Sequence, residues 1–200
     1  MISMLVQALY NIVDSMFVAR VSEAALAAVS LCYPIQMIMV AVACGTGVGI
    51  NALLSRYLGE KKREKASQVA MHGLFCAICN WLVFAVIGLF FSEAFLRLFS
   101  DDVQIIMMGI SYMQICTICS FGVFVQITYE RIMQSTGNTI YNMVIQGVGA
   151  LINIILDPIF IFGLGPVPAL GTAGAAIATV IGQIVAMFLG IIITQKKIRE

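Results

Sequence analysis

The sequence predicts an all-α integral membrane protein, built as a bundle of six transmembrane helices. Hydrophobic residues make up 61% of the chain and charged residues only 10%, and the mean hydropathy is +1.01. That leaves too little polar surface to cover a soluble globule. Three charge-free stretches, 24–55, 66–92 and 103–129, are each longer than the roughly 20 residues that a helix needs to cross the hydrocarbon core.

Each charge-free stretch accounts for one helix, and the chain before and after them supplies three more. The first apolar run differs from a signal peptide, because it lacks a basic leader and carries Asp14. The long apolar run after Arg131 is divided at 163–171, where two prolines and three glycines favour a turn. The six helices are predicted at about 1–20, 25–57, 65–92, 103–133, 139–163 and 170–195.

The basic residues are distributed unequally between the two ends of these helices. One set of ends holds Arg56, Lys61, Lys62, Arg63, Lys65, Arg131, Lys196, Lys197 and Arg199. The other set holds only Arg20 and Arg97. Because cytoplasmic loops are enriched in basic residues, this bias predicts a multi-pass protein of the cell membrane with both termini in the cytoplasm. The net charge of +1 gives no indication of a nucleic-acid partner.

Two carboxylates, Asp14 and Asp157, lie alone in apolar helices. Counting from Arg20 and from Gly163, each should lie roughly 9 Å below the outer face. A charge at membrane depth costs about 2.5–3.5 kcal/mol on insertion scales, so such residues usually face a bundle interior and mark an ion or substrate path. The simpler alternative is that each aspartate only holds the bundle together through a hydrogen bond to a neighbouring helix.

Three more polar residues are expected at about the same depth. Tyr10 and Asn153 each lie one helical turn from their aspartate, on the same face, and Thr179 reaches a similar level in the last helix. If the first, fifth and sixth helices are neighbours, the five side chains line one polar pocket. Pro158 leaves one helix carbonyl without its usual donor. Such oxygen atoms suit a sodium ion or a proton-carrying water.

The same residues belong to a set of segments that resembles a known family. The segments are NIVDSMFVA at 11–19, GTGVG at 45–49 followed by SRYLGEKKREKA at 55–66, QSTGNT at 134–139, and NIILDPIF at 153–160 followed by GAAIAT at 174–179. In order and spacing they resemble the multidrug and toxic compound extrusion (MATE) transporters along nearly the whole chain.

The resemblance implies a secondary active antiporter that exports organic, often cationic, compounds in exchange for sodium ions or protons. Members of the family have twelve helices in two six-helix lobes, and drugs bind between the lobes. By this comparison residues 1–195 form the cation-binding amino-terminal lobe, and 196–200 begin the cytoplasmic linker to a second lobe.

The resemblance also assigns site residues. The residues that match the family's cation site are Asp14, Asn153, Asp157 and Thr179, with Tyr10 beside them. In a sodium-coupled transporter the first four would hold the sodium ion, and no other cofactor is expected. Gln36 and Met37 are candidates for drug contact.

A single lobe would expose its cavity-facing polar surface to lipid, where unsatisfied polar groups find no water. We therefore expect either a truncated product or a half-transporter that pairs with a second lobe, a partner half or a copy of itself. The expected partners are the lipid bilayer, small organic cations or drugs, and that second half.

Two other kinds of protein fit the same pattern. A lipid-linked sugar flippase has a similar broad architecture, and a non-transporting scaffold or partner subunit would use the aspartates only for helix contacts. An enzyme is not expected, because the one histidine, His72, cannot assemble a catalytic triad or a zinc centre. The two CxxC pairs lie within apolar helices, where cysteines usually serve as packing residues.

Overall fold

The computed structural model describes residues 12–137, 139–163 and 168–199, and of residues 197–199 it describes the backbone only. Within these ranges the chain is helical and contains no β-strand. The helices are α1 (12–19, its described part), α2 (Glu23–Gly59), α3 (Arg63–Arg97), α4 (Val103–Ile118), α5 (Phe121–Ser135), α6 (Thr139–Phe162) and α7 (Thr172–Arg199).

Four of these helices, α2, α3, α6 and α7, are each long and apolar enough to cross a membrane. The pair α4 and α5 is apolar enough to make one further crossing together. Their outer faces carry large exposed hydrophobic side chains, such as Phe75 and Phe90 on α3. A soluble protein would bury such side chains, whereas here they face lipid. The chain is an all-α integral membrane protein.

The structure corrects the prediction of one continuous helix over 103–133. Helices α4 and α5 meet at Cys119 and Ser120 and are bent by 43°. The Ser120 hydroxyl donates to the carbonyl oxygen of Thr117 at 2.7 Å, and the Thr117 hydroxyl donates to that of Met113 at 2.7 Å. Such local bonds compete with the backbone ladder and favour a break. Because the bend carries no charge or proline, the charge pattern alone did not reveal it.

A short turn joins α2 to α3 and carries a cluster of exposed charges. Lys61 adopts a left-handed conformation, with φ of +58°. The Glu60 carboxylate accepts from Lys62 Nζ at 2.7 Å and from Arg56 Nε at 3.0 Å. These two hydrogen bonds lower the pKa of Glu60 below its ordinary value. The turn therefore has the polar surface expected at a membrane boundary.

Helices α6 and α7 lie side by side, and their backbones approach closely where glycines face each other. A Cβ atom on Gly182 would lie 2.8 Å from the carbonyl oxygen of Gly149 and 3.3 Å from the Asn153 side chain. The connection between the helices leaves α6 at Gly163, with φ of +73°, a conformation that glycine adopts without strain. This close packing determines which polar side chains of α6 meet those of α7.

Helix α1 packs on the same side of the bundle. Val18 shares one hydrophobic cluster with Ile161 of α6 and Ala175 of α7, and the rings of Phe17 and Phe162 meet edge to face with their centroids 6.2 Å apart. The three helices whose contact the pocket hypothesis requires are therefore neighbours.

Candidate functional site

Asn153 and Asp157 form the centre of the candidate site on α6. They lie one helical turn apart on the buried face of the helix, and Asp157 is completely inaccessible to solvent. The Nδ2 atom of Asn153 donates to Oδ1 of Asp157 at 3.2 Å. The amide therefore supports one carboxylate oxygen and leaves the other available.

Thr179 joins this pair from α7. Its Oγ1 atom accepts a hydrogen bond from Nδ2 of Asn153 at 3.2 Å. Thr179 can reach Asn153 because α7 approaches α6 closely at Gly182, three residues further along α7. The structure thus brings together three of the predicted site residues, Asn153, Asp157 and Thr179.

Asp14 lies on α1 and is also buried. It is close enough to Asp157 for the two carboxylates to repel each other electrostatically, and no salt bridge joins either of them to a basic residue of the described chain. Tyr10, the fifth predicted residue, lies outside the described residues. The described part of the site therefore carries up to two negative charges and no positive one.

Three oxygen atoms of this site are buried and have no hydrogen-bond partner among the described residues. They are Oδ1 of Asp14, Oδ1 of Asn153 and Oδ2 of Asp157. Leaving a buried polar group unpaired costs about 1–3 kcal/mol, and more for a charged group. Carboxylate and amide oxygens are hard ligands that suit a small hard cation. The residues present therefore fit a sodium ion, or a proton bound to a carboxylate.

A second polar group lies near Asp14, on the facing sides of α2 and α4. Nε2 of Gln36 donates to Oη of Tyr112 at 3.2 Å and to Sγ of Cys116 at 3.4 Å. Both Tyr112 and Cys116 are buried, and Asp14 is close enough to affect both electrostatically. Sequence reasoning missed Tyr112, although the spacing of Tyr112 and Cys116 places them on one face of α4.

The two candidates for drug contact have different environments. Gln36 uses its amide nitrogen for the contacts with α4, inside the bundle. Met37, the next residue, is half exposed on the outer side of α2. The two side chains therefore do not share one surface.

Sequence reasoning also missed a buried acid. Glu130 is 4% exposed and lies on α5, which continues beyond it to Ser135. The sequence analysis ended the charge-free stretch at Tyr129 and counted the neighbouring Arg131 only as a sign of orientation. The available signal was a glutamate that lies inside the predicted helix 103–133, one turn before its end.

Comparison with known proteins places the chain in a family. A family model described as MatE matches residues 1–159. The chain belongs to the MatE family. This confirms the resemblance seen in the sequence segments.

Curated relatives of this MatE chain include several transport proteins. It is 29% identical over 180 residues to a protein named FAD transporter from Shewanella oneidensis, a match that covers 90% of this chain and 40% of the relative. It is 30% identical over 201 residues to the probable multidrug resistance protein YoeA of Bacillus subtilis, covering 98% and 42%. It is also 30% identical over 200 residues to the multidrug export protein MepA of Staphylococcus haemolyticus, covering 98% and 43%.

Solved structures agree with the family. A MOP-superfamily transporter from Pyrococcus furiosus superimposes with a TM-score of 0.87 at 30% identity, covering 94% of this chain and 41% of that one. An outward-facing multidrug resistance MATE transporter gives the same values. An inward-facing MATE transporter gives a TM-score of 0.85 at 28% identity, covering 92% and 41%. The MatE chain thus spans about two fifths of the length of the relatives that it matches.

Proposed function

We propose that this chain forms the cation-binding half of a secondary active antiporter, which exports organic compounds in exchange for sodium ions or protons. The observation that carries the proposal is that one oxygen atom each of Asp14, Asn153 and Asp157 is buried and has no hydrogen-bond partner among the described residues. A scaffold that used these residues only for helix contacts would pair such atoms across the helices.

The residues would act together on one cation. Asp14 and Asp157 repel each other when both are ionised, and a bound sodium ion or proton relieves that repulsion. Asn153 orients one oxygen of Asp157 and is itself held by Thr179. Binding therefore changes the charge and the packing between α1, α6 and α7. Ion-driven export requires that the cation and the exported compound prefer different conformations of the whole transporter.

The comparisons support movement of the lobe largely as one body. An outward-facing and an inward-facing relative match this chain with TM-scores of 0.87 and 0.85, so the fold of this part is recognisable in both states. Alternating access would then occur chiefly by movement of this half against a second half, as is common in transporters built from repeats.

The class of exported compound can be narrowed by assay. Two of the relatives are named for multidrug resistance or export, which favours small organic cations or drugs. One is named FAD transporter, and FAD carries negative charge. A transport panel should therefore include a fluorescent organic cation, FAD and a lipid-linked sugar. Preferred export of the lipid-linked sugar would favour the flippase alternative.

The first test is cation binding by the purified protein in lipid nanodiscs. Asp157→Asn preserves the shape of the side chain and removes its charge, so we expect the loss of one bound radioactive sodium ion per chain, or of one bound proton measured with a pH-sensitive dye. The matched control is Asp101→Asn, at an exposed position between α3 and α4, which should change neither quantity.

Unchanged binding of both ions in Asp157→Asn would refute the proposed function. If binding is lost as expected, the same variant should abolish cation-driven export when the half is assembled with its complementary half in proteoliposomes. Retained export at the wild-type rate would leave the aspartates with a structural role only.

A further inference from the structure

A third buried carboxylate, Glu130, lies on α5 near α6, at the end of the bundle opposite to Asp157. It is about five residues, or roughly 7.5 Å, from the end of α5. Its amide neighbours Asn142 and Gln146 lie in the first two turns of α6, and Asn142 is fifteen positions before Asp157. That separation corresponds to about 22 Å along the helix axis.

Three amide side chains surround Glu130. Nε2 of Gln126 donates to its Oε1 at 2.9 Å, and Nε2 of Gln146 donates to its Oε2 at 2.8 Å. Nδ2 of Asn142 donates to the main-chain oxygen of Glu130 at 2.9 Å. All three amides therefore present nitrogen atoms to the same residue. This arrangement stabilises a negative charge at Glu130 but does not neutralise it.

No basic residue of the described chain forms a salt bridge with Glu130. The neighbouring Arg131 is directed towards α2, where Nη2 donates to Sγ of Cys44 at 3.7 Å. Its Nη1 donates to Oε1 of Gln134 on its own helix at 2.8 Å. The Arg131 stem packs on Gly47 of α2, where an added Cβ atom would lie 2.7 Å from Cγ of the arginine. Arg131 acts on Glu130 electrostatically but forms no ion pair with it. A buried carboxylate without a direct ionic partner is costly, which indicates a further positive partner.

The amides themselves indicate what that partner is. Asn142 is only 5% exposed, and its Oδ1 atom has no hydrogen-bond partner in the described chain. Oε1 of Gln146 is also buried and unpartnered there. A half-turn of each terminal amide exchanges its oxygen and nitrogen atoms. The oxygen of Gln146 can then turn towards the carboxylate, and that of Asn142 towards the main-chain oxygen of Glu130, so that all of them offer oxygen ligands. A single proton would satisfy only one of these acceptors.

We propose that Glu130, Asn142 and Gln146 form a second binding site, which takes one alkali-metal ion of the sodium class. The carboxylate and two amide oxygens are hard ligands on facing helices. One monovalent ion neutralises the single carboxylate, whereas a divalent ion would leave an uncompensated positive charge next to Arg131. The site is separate from the Asp157 site, because the backbone contact of Gly149 with Gly182 lies between them along α6.

The test is equilibrium binding of radioactive sodium to the purified protein in nanodiscs, carried out in the Asp157→Asn background. This background removes the outer site of the proposed function, so the two ideas are tested separately. We expect one sodium ion per chain to remain bound in Asp157→Asn. Adding Glu130→Gln should remove it, whereas adding Glu64→Gln, at an exposed position in the first turn of α3, should not.

Two further variants guard against a failure of Glu130→Gln to fold. Asn142→Ala and Gln146→Ala each remove one amide oxygen and retain the carboxylate, and we expect each to weaken sodium binding at least tenfold. If Asp157→Asn binds no sodium, or if its bound sodium persists after Glu130→Gln, the inference is overturned. Unchanged sodium affinity in both amide variants would also overturn it.

Discussion

At the scale of single residues, Asn153 links the two sides of the candidate site. Its amide nitrogen donates to Asp157 on its own helix and to Thr179 on the next one, and its amide oxygen has no partner among the residues described. The same side chain can therefore orient the carboxylate and contribute an oxygen ligand. Asn153 supports the site in two ways, although it carries no charge.

Replacement of Asn153 by alanine removes both contributions. A hydrogen bond to a charged group is worth about 1.5–3 kcal/mol, so we expect Asn153→Ala to weaken cation binding at the outer site by about tenfold to a hundredfold. Titration of radioactive sodium, or of protons, in nanodiscs measures the change. Asn51→Ala, in the α2 helix away from this site, serves as the control, and equal affinities in the two variants would contradict the assigned role.

At the scale of secondary-structure elements, the position of α7 against α6 decides whether the site forms. The two backbones touch through Gly149 and Gly182, and this brings Thr179 within hydrogen-bonding distance of Asn153. A bulkier residue at either glycine would push the helices apart and separate those two side chains. Small residues at helix contacts of membrane proteins permit such close approach.

Two Gly→Ala substitutions separate this packing effect from helix propensity. A Cβ atom at Gly182 would press on a carbonyl oxygen at 2.8 Å, whereas one at Gly147 would meet nothing within 4 Å. We expect Gly182→Ala to destabilise the protein by about 1–3 kcal/mol, as overpacking does, and to weaken cation binding. Gly147→Ala should be neutral or stabilising by up to about 1 kcal/mol, because alanine favours helix more than glycine does.

Thermal unfolding in detergent, followed by circular dichroism, measures both variants. A destabilisation of this size lowers the unfolding midpoint by several degrees in a chain of this length. If Gly182→Ala and Gly147→Ala shifted the midpoint by the same amount, close contact of the helices would not be what stabilises this pair.

At the scale of the whole molecule, the distribution of charge predicts how the protein lies in the membrane. The turn between α2 and α3 carries a run of basic residues, whereas the turn between α3 and α4 carries Asp101 and Asp102. By the basic-residue rule the first turn faces the cytoplasm and the second faces outwards. Both termini then lie in the cytoplasm, and the Glu130 site lies towards the cytoplasmic face.

Labelling of introduced cysteines tests this orientation. Glu64→Cys places a thiol at an exposed position at the start of α3, next to the first connection, and Asp101→Cys places one in the second. In intact cells, a membrane-impermeant maleimide should label Asp101→Cys and leave Glu64→Cys unlabelled until the membrane is opened. The unsubstituted protein shows the background from its own six cysteines. The reverse pattern would invert the predicted topology.

The sequence by itself determined the environment of the protein and its family, and it predicted the residues of the outer site. Charge-free stretches identify membrane helices because burial of charge in lipid is expensive, and an isolated aspartate is conspicuous for the same reason. Local signals also placed the turn between the last two helices, where glycines and prolines stop a helix. These inferences depend on one residue and its near neighbours in the chain, so no tertiary information was needed.

Only the tertiary structure decided which helices are neighbours and which polar groups remain unpaired. The bend between α4 and α5 depends on hydroxyl groups whose bonding partners are visible only in the folded chain. Glu130 looked like a boundary residue, because hydropathy does not distinguish a helix end in water from one buried against α6. At both sites, the oxygens without a partner in the described ranges of the chain are buried by contacts between helices distant in sequence. Such contacts depend on packing that no local pattern specifies.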